Sequence, residues 1–155
     1  MENRMQNRMI KYVLVANGNK ALIYKCNGNL NNLELEHKFI TDESTKSSHE
    51  LGSDKPGRGE SGMNGSIKHS TDSKGDLHKK EKHNFIVEVV KFINDEANTN
   101  KFDKLIICSS PEALGEIRSQ LGKHASSLIS DEINKDLTHL PIGDIIELIQ
   151  KHRSN

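Results

Sequence analysis

A dense polar segment, NKDLTHLP at residues 134–141, holds the residue types found in hydrolytic sites. It places an acid, a hydroxyl and an imidazole within four positions, as Asp136, Thr138 and His139. One hypothesis is a hydrolase in which His139 acts as the base and Asp136 orients it or binds a metal. The alternative is local, because Asp and Thr side chains hydrogen-bond nearby backbone N–H groups, and Pro141 can open a helix. The residue types favour this capping role.

Two adjacent serines, Ser109 and Ser110, stand where a predicted buried strand ends and a helix begins at Pro111. The N-terminus of a helix presents free amide groups and partial positive charge, so anions bind there readily. Ordinary N-capping by Ser110 explains the same residues without a ligand. The sequence therefore favours a cap and leaves an anion site at Ser109 and Ser110 as the alternative.

The eight histidines and two cysteines do not form a recognisable metal motif. His78 and His83 are five positions apart, whereas two ligands on one helical face are usually four apart. Cys26 and Cys108 each lie in an apolar, strand-like run without CxxC spacing, which predicts reduced, buried thiols. We therefore expect neither a metal nor another cofactor.

The charges of the chain balance, with 22 lysines and arginines against 22 aspartates and glutamates. Proteins that bind nucleic acid usually have a visible positive excess, so global charge gives no argument for such a partner. The N-terminus is polar, and no apolar run approaches the ~20 residues that a transmembrane helix needs. These features predict a cytoplasmic protein without membrane insertion.

Three strands are predicted at the start of a single domain that spans residues 11–152, after a disordered leader at 1–10. The segment KYVLVANGNKALIYKC has two apolar runs joined by Asn17-Gly18-Asn19, residue types that tolerate the positive φ of tight hairpin turns. The segment LELEHKF then alternates apolar and polar residues, with Leu33, Leu35 and Phe39 as its apolar positions. The pattern predicts an antiparallel meander.

A long polar, Gly-rich loop is predicted at about residues 41–76, where periodicity vanishes. A helix is predicted to follow, with Asp76 as its N-cap. Its predicted apolar face consists of Leu77, Phe85, Val89, Phe92 and Ile93, and its polar face carries Lys79, Lys80 and Lys82.

The remaining segments alternate between strand and helix patterns: FDKLIICSS, PEALGEIRSQLG, SSLISDEI and PIGDIIELIQKH. The complete order, βββ-α-β-α-β-α, predicts an α/β fold with a mixed sheet flanked by helices, in the manner of ribonuclease-H-like folds. A nuclease of that class holds metal with carboxylates on the first strand. Asn17 ends the first strand here and cannot supply a charged ligand, which disfavours a nuclease.

Four segments, in this order and spacing, resemble the bacterial host-attachment protein family: VLVANGNKALIYK, SDKPGR, DSKGDLHKKEKHNF and NKDLTHLP. The resemblance covers about residues 11 to 150. That family is grouped with bacterial relatives of the middle domain of archaeal and eukaryotic peptide-chain release factors, which implies a ribonuclease-H-like, translational-machinery type of fold. The family's usual Asp-Gly is Asn17-Gly18 here, and the Gly-Gly-Gln tripeptide of true release factors is absent from the sequence. Ester hydrolysis by the release-factor mechanism is therefore not expected.

Three functional hypotheses follow, the first two from the resemblance and the third from the residues alone. The favoured one is a non-catalytic binding module for RNA or the ribosome, whose affinity should fall steeply with salt. The second is an attachment or surface-interaction protein that recognises a host-cell component. The third is the hydrolase built on Asp136, Thr138 and His139. The predicted footprint of the favoured module consists of Asp54, Lys55 and Arg58 in the loop and Lys79, Lys80 and Lys82 on the helix.

Overall fold

A computed structural model describes the backbone at residues 9–41 and 64–154, and the side chains of those ranges except 64–76. Of the predicted leader at 1–10 and the predicted loop at about 41–76, residues 1–8 and 42–63, including Asp54, Lys55 and Arg58, lie outside the described residues. The elements are β1 (Ile10–Ala16), β2 (Lys20–Asn27), a 3-10 turn (Leu30–Asn32), β3 (Glu34–Ile40), α1 (Asn64–Asn98), β4 (Lys104–Ser109), α2 (Pro111–Gln120), α3 (Lys123–Ser127), β5 (Ile129–Ile133) and α4 (Ile142–Ser154).

The five strands form one mixed sheet in the order β3-β2-β1-β4-β5. β1, β2 and β3 are antiparallel neighbours, whereas β4 runs parallel to both β1 and β5. The prediction of an α/β fold with a mixed sheet and flanking helices is confirmed. Because β1, β4 and β5 are parallel, their carboxyl ends share one edge of the sheet.

Each face of the sheet is covered by helices, so the central strands are apolar on both sides. Alternate residues of β1 point to opposite cores: Tyr12 and Leu14 pack on the α1 side, and Val13 and Val15 on the α4 side. The α1-side core also contains residues of α2, and the α4-side core contains Ile145 and Ile149, both fully buried. Fully burying side chains of this size contributes about 1.5–3 kcal/mol each, which makes the two cores the main source of stability.

The β3 strand departs from the predicted alternation because its pairing with β2 contains a register shift. Leu35 pairs with Tyr24, and Glu36 is then left as an extra residue before pairing resumes. One extra residue moves the following side chains to the other face. Leu33 therefore packs on the α4 side and Phe39 on the α1 side, while Leu35 is 50% exposed.

The α1 helix begins at Asn64, so the predicted N-cap Asp76 lies inside it and residues 64–76 are helical rather than part of a loop. Ile67 is the only large apolar residue of that segment. A helix without an apolar stripe gives no periodic signal, which is why the sequence pattern missed it. Leu77 was also placed wrongly, since its side chain is 54% exposed. Within the described side chains of α1, burial begins only at Phe85.

The last strand is shorter than predicted. Ser126 and Ser127 belong to the short helix α3, and β5 begins at Ile129. The N–H of Leu128 donates to the carbonyl of Ala125 at 3.0 Å, which closes a final turn before the strand. Local turn bonds therefore take the two serines out of the strand.

Candidate functional site at the carboxyl edge of the sheet

Two predicted site segments, at residues 109–110 and 136–139, meet the turn that follows β1 at the carboxyl edge of the parallel strands. Ala16 and Ser109, the last residues of β1 and β4, are direct pairing partners. The N–H of Ser110 also donates to the carbonyl of Ala16 at 3.3 Å. From this point the chain leaves β1 toward β2 on one side and β4 toward β5 on the other. Open α/β sheets bind ligands at such switch points, outside the carboxyl ends of the strands.

Asn17 joins this edge to the segment that follows β5. Its side-chain Nδ2 donates to Oδ2 of Asp136 at 2.9 Å and lies 3.2 Å from Oγ1 of Thr138. Its Oδ1 accepts the N–H groups of Asn19 and Lys20 at 2.8 and 2.9 Å, which closes the β1–β2 turn. The turn does not use the predicted positive φ, since among the described residues only Gly28 and Asn100 have it. The side chain of Asn17 therefore shapes the hairpin.

Asp136 has hydrogen bonds to both carboxylate oxygens. Besides the bond from Asn17, its Oδ1 accepts the N–H of Thr138 at 3.0 Å and the Oγ1 hydroxyl of Thr138 at 2.7 Å. Burial by itself raises the pKa of Asp136, but these hydrogen bonds favour the charged form more strongly and hold the pKa below its ordinary value. Asp136 is thus a stable anion that closes a turn. A carboxylate so engaged is a weak proton acceptor.

The structure brings two of the three residues of the hydrolase hypothesis together. Asp136 and Thr138 are bonded to each other, and Thr138 is buried. His139 is exposed, and its ring makes no hydrogen bond with the side chains that the structure describes. It acts on Asp136 only through its charge, as the last of the influences that lower the pKa of that carboxyl. A general base needs a hydrogen-bonding partner that orients its ring. The described residues provide no such partner for His139.

Ser110 occupies the N-cap position of α2, but its hydroxyl makes no capping hydrogen bond. Ser109 is fully buried and donates its hydroxyl to the carbonyl of Ser110 at 3.1 Å. Pro111 follows at the first helical position, and Glu112 lies in the first turn. The serines thus sit at the edge of the sheet beside Asn17, while the amide groups of the first turn of α2 gain no side-chain cap from Ser110.

A contact that no sequence pattern indicates brings α1 to this edge. A Cβ added at Gly18 would lie 3.1 Å from Cδ and 3.2 Å from Cγ of Lys82. The methylene groups of Lys82 therefore lie directly over the backbone of the β1–β2 turn. The next residue, His83, contacts Glu116 of α2 through its Nδ1 at 2.5 Å. Gly18 therefore allows a close approach by the Lys82 side chain, and its own φ angle is not positive.

The other predicted basic residues of the described footprint share the exposed surface of α1. Lys79, Lys80 and Lys82 are all exposed. Of these, only Lys82 has a described contact with the carboxyl edge. Gly18 lies in a sequence that is typical of any tight turn. The sequence pattern therefore could not predict its contact with Lys82.

Both cysteines are free and buried. Burial raises the pKa of the Cys108 thiol to about 12 and that of Cys26 by a smaller amount, so neither is a reactive thiolate. Within the described side chains, no three His, Cys, Asp or Glu residues are grouped to hold a metal ion. None of the helices in the described ranges is both long and apolar enough to cross a membrane.

Two comparisons with known proteins bear on the identity of the chain. No curated protein matches it significantly. The family model described as "Protein required for attachment to host cells" matches residues 12–149, which is most of the chain and includes every residue of the carboxyl edge discussed above. The chain therefore belongs to the family of proteins required for attachment to host cells.

Proposed function

We propose that the protein is a non-catalytic binding module that holds RNA, including the RNA of the ribosome, at the carboxyl edge of its sheet. The observation that carries the proposal is the contact of Lys82 with Gly18. It brings the exposed Lys82 of α1 beside the strand ends where open α/β sheets bind their ligands, and Lys79 and Lys80 precede it on the same helix. Positive side chains at such an edge attract phosphate groups.

The neighbouring groups support binding rather than catalysis. The first turn of α2 offers amide groups that Ser110 does not cap, and such groups favour anions. Asp136 is bonded at both oxygens and His139 is unoriented, so proton transfer has no suitable pair here. The absence of a Gly-Gly-Gln tripeptide from the sequence agrees with a module that does not hydrolyse esters.

The proposal extends to the type of fold. We propose that the sheet is ribonuclease-H-like and that the family is related to the middle domain of peptide-chain release factors. The order β3-β2-β1-β4-β5, with β2 antiparallel to β1 and β4 parallel to it, supports this assignment. The relationship would account for an RNA partner in the translation machinery and for a cytoplasmic location.

The test is binding of RNA and co-sedimentation with ribosomes at low salt. Replacing Lys79, Lys80 and Lys82 by Ala should weaken binding and reduce the slope of log K against log[salt] by about 2, since three contacts to single-stranded RNA contribute about 0.7 each. The matched control replaces Lys101, Lys123 and Lys151, which are also exposed and remove the same charge. Equal losses in both variants, or no binding by the natural protein, would overturn the proposal.

Attachment to host cells is the second candidate function, and the family description favours it. A direct role requires that the protein reach the cell surface and bind a host component there. Protease treatment of intact cells, followed by detection of the protein, distinguishes the two candidates. Digestion in intact cells supports attachment, and protection together with ribosome binding supports the RNA module.

A further inference from the structure

The opposite edge of the parallel strands carries a second group of charged side chains. Lys11 of β1 and Lys104 of β4 are direct pairing partners. Neighbouring strands are about 4.8 Å apart, so the two lysines start from adjacent positions. Both side chains are half-buried. Like charges directly opposite each other on neighbouring strands destabilise a sheet, and partial burial increases their repulsion.

Both lysines lie on the α4 side of the sheet. Val13 and Ile106, two positions further along the same two strands, are buried in the α4-side core, and side chains two positions apart share a face. The C-terminal turn of α4 also lies on this side of the sheet. Arg153 lies four positions after the fully buried Ile149, and therefore on the same face of the helix.

The charges of Lys11 and Arg153 act on the same buried atom. Burial raises the pKa of the Cys26 thiol, and these two positive charges offset part of that increase. Cys26 is the direct partner of Lys11 in the β1–β2 pairing. Lys11, Lys104 and Arg153 thus form one cationic cluster at the amino-terminal edge of the parallel strands.

The acids around this cationic cluster neutralise it only in part, since Asp131 forms an ion pair with Arg153. Within the part of the chain that the structure describes, Lys11 and Lys104 form no ion pair. Asp103 accepts the N–H of Ile10 at 2.9 Å, and Asp131 lies 3.6 Å from Nε of Arg153. The carbonyl end of α4 supplies a partial negative charge of only about half an elementary charge. Positive charge is therefore in excess here.

We propose that the cationic cluster is a binding site for a phosphate group, as inorganic phosphate or a phosphate monoester. The ammonium groups of Lys11 and Lys104 would act as point charges, and the guanidinium of Arg153 would offer paired donors. A dianionic phosphate removes the repulsion between the two lysines, which explains why they stand opposite each other. The site lies at the other end of the strands from the proposed RNA surface and is independent of it.

The test is a calorimetric and thermal-unfolding titration with inorganic phosphate, against chloride at matched ionic strength. Phosphate should raise the Tm of the natural protein saturably. Lys104→Met keeps the apolar stem and removes the charge, and it should weaken phosphate binding about tenfold or more. It should also raise the Tm in low salt without phosphate, because it relieves repulsion. Lys101→Met, at an exposed position, should behave like the natural protein.

The location and the source of the phosphate are tested separately. Amide NMR shifts on adding phosphate should centre on Lys11 and Lys104. Shifts centred on Lys82 and the start of α2 would overturn this proposal while supporting the RNA surface. Glycerol 3-phosphate is the second probe. Binding of both probes identifies a site for phosphate esters, binding of inorganic phosphate alone identifies a site for the free ion, and saturable binding of neither overturns the proposal.

Discussion

Asn17 donates a hydrogen bond of 2.9 Å to Asp136, although the two residues are 119 positions apart in the chain. The bond joins the turn after the first strand to the segment after the last one. The same amide shapes the β1–β2 turn through its oxygen. One side chain therefore connects the ends of β1 and β5, which are not neighbours in the sheet, through its donor and closes the β1–β2 turn through its acceptor.

Asn17→Asp should destabilise the fold at neutral pH. The new carboxylate keeps the acceptor for Asn19 and Lys20 but places negative charge against Asp136. Losing the donor and adding repulsion should cost about 1–3 kcal/mol of unfolding free energy. Urea unfolding measures the loss. Asn29→Asp is the control, because the side-chain oxygen of Asn29 accepts the N–H of Asn31 and an aspartate can do the same. The stability of this variant should be almost unchanged.

Asp136 should contribute to stability above about pH 4 and lose that contribution in acid. Its pKa is lowered in the folded protein, so the unfolded chain binds more protons at low pH. The contribution is complete above the unfolded value of 3.8 and is lost as the pH falls through the folded value. As the pH is lowered from 7 to 2.5, the free energy of unfolding should fall less steeply for Asp136→Asn than for the natural protein. Asp95→Asn, at an exposed position, should follow the natural curve.

Gly18→Ala should weaken RNA binding with little effect on stability, if the proposed function is correct. The added Cβ would lie 3.1 Å from Cδ of Lys82, so the lysine side chain would have to shift by a few tenths of an ångström, and we expect a small change in affinity. Because Gly18 has no positive φ, we expect a stability change within about 0.5 kcal/mol. Gly143→Ala is the control, since its new Cβ would meet nothing within 4 Å. A large loss of stability in Gly18→Ala would contradict this explanation.

His139→Ala should leave both folding and RNA binding unchanged at neutral pH. Its ring is exposed and unbonded within the described residues, so its removal takes away no contact. Thermal unfolding and RNA titration provide the measurements, with the exposed His124→Ala as control. If a hydrolytic activity is found that depends on His139 and not on His124, the hydrolase hypothesis replaces the binding module.

Local patterns were enough to predict most of the elements. The hairpin of β1 and β2 and the helix α4 follow from apolar runs and from isoleucines spaced three and four apart. The N-terminal part of α1 could not be found in this way, since it has no apolar stripe. The register shift at Glu36 was equally hidden, because the residues of β3 alternate regularly in the sequence.

The candidate site was only partly predictable. The polar residues at Asp136 and Thr138 were recognised, and their role in closing a turn agrees with the local bonds of Thr138. Their link to Asn17 depends on the order of strands in space, which no local spacing encodes. The position of Lys82 over Gly18 depends on how α1 crosses the sheet, and the buried face of α1, among its described side chains, begins only at Phe85, three residues further on.

The extra residue in β3 also affects whether another strand can pair with the edge of the sheet. β3 lies at the edge, with one row of backbone groups not paired within the sheet. A regular, flat edge strand readily pairs with a strand from another molecule and so starts aggregation. The irregularity at Glu36 twists the edge, and Glu34 and Lys38 place charges along it. These features oppose pairing of the β3 edge with a strand of another molecule.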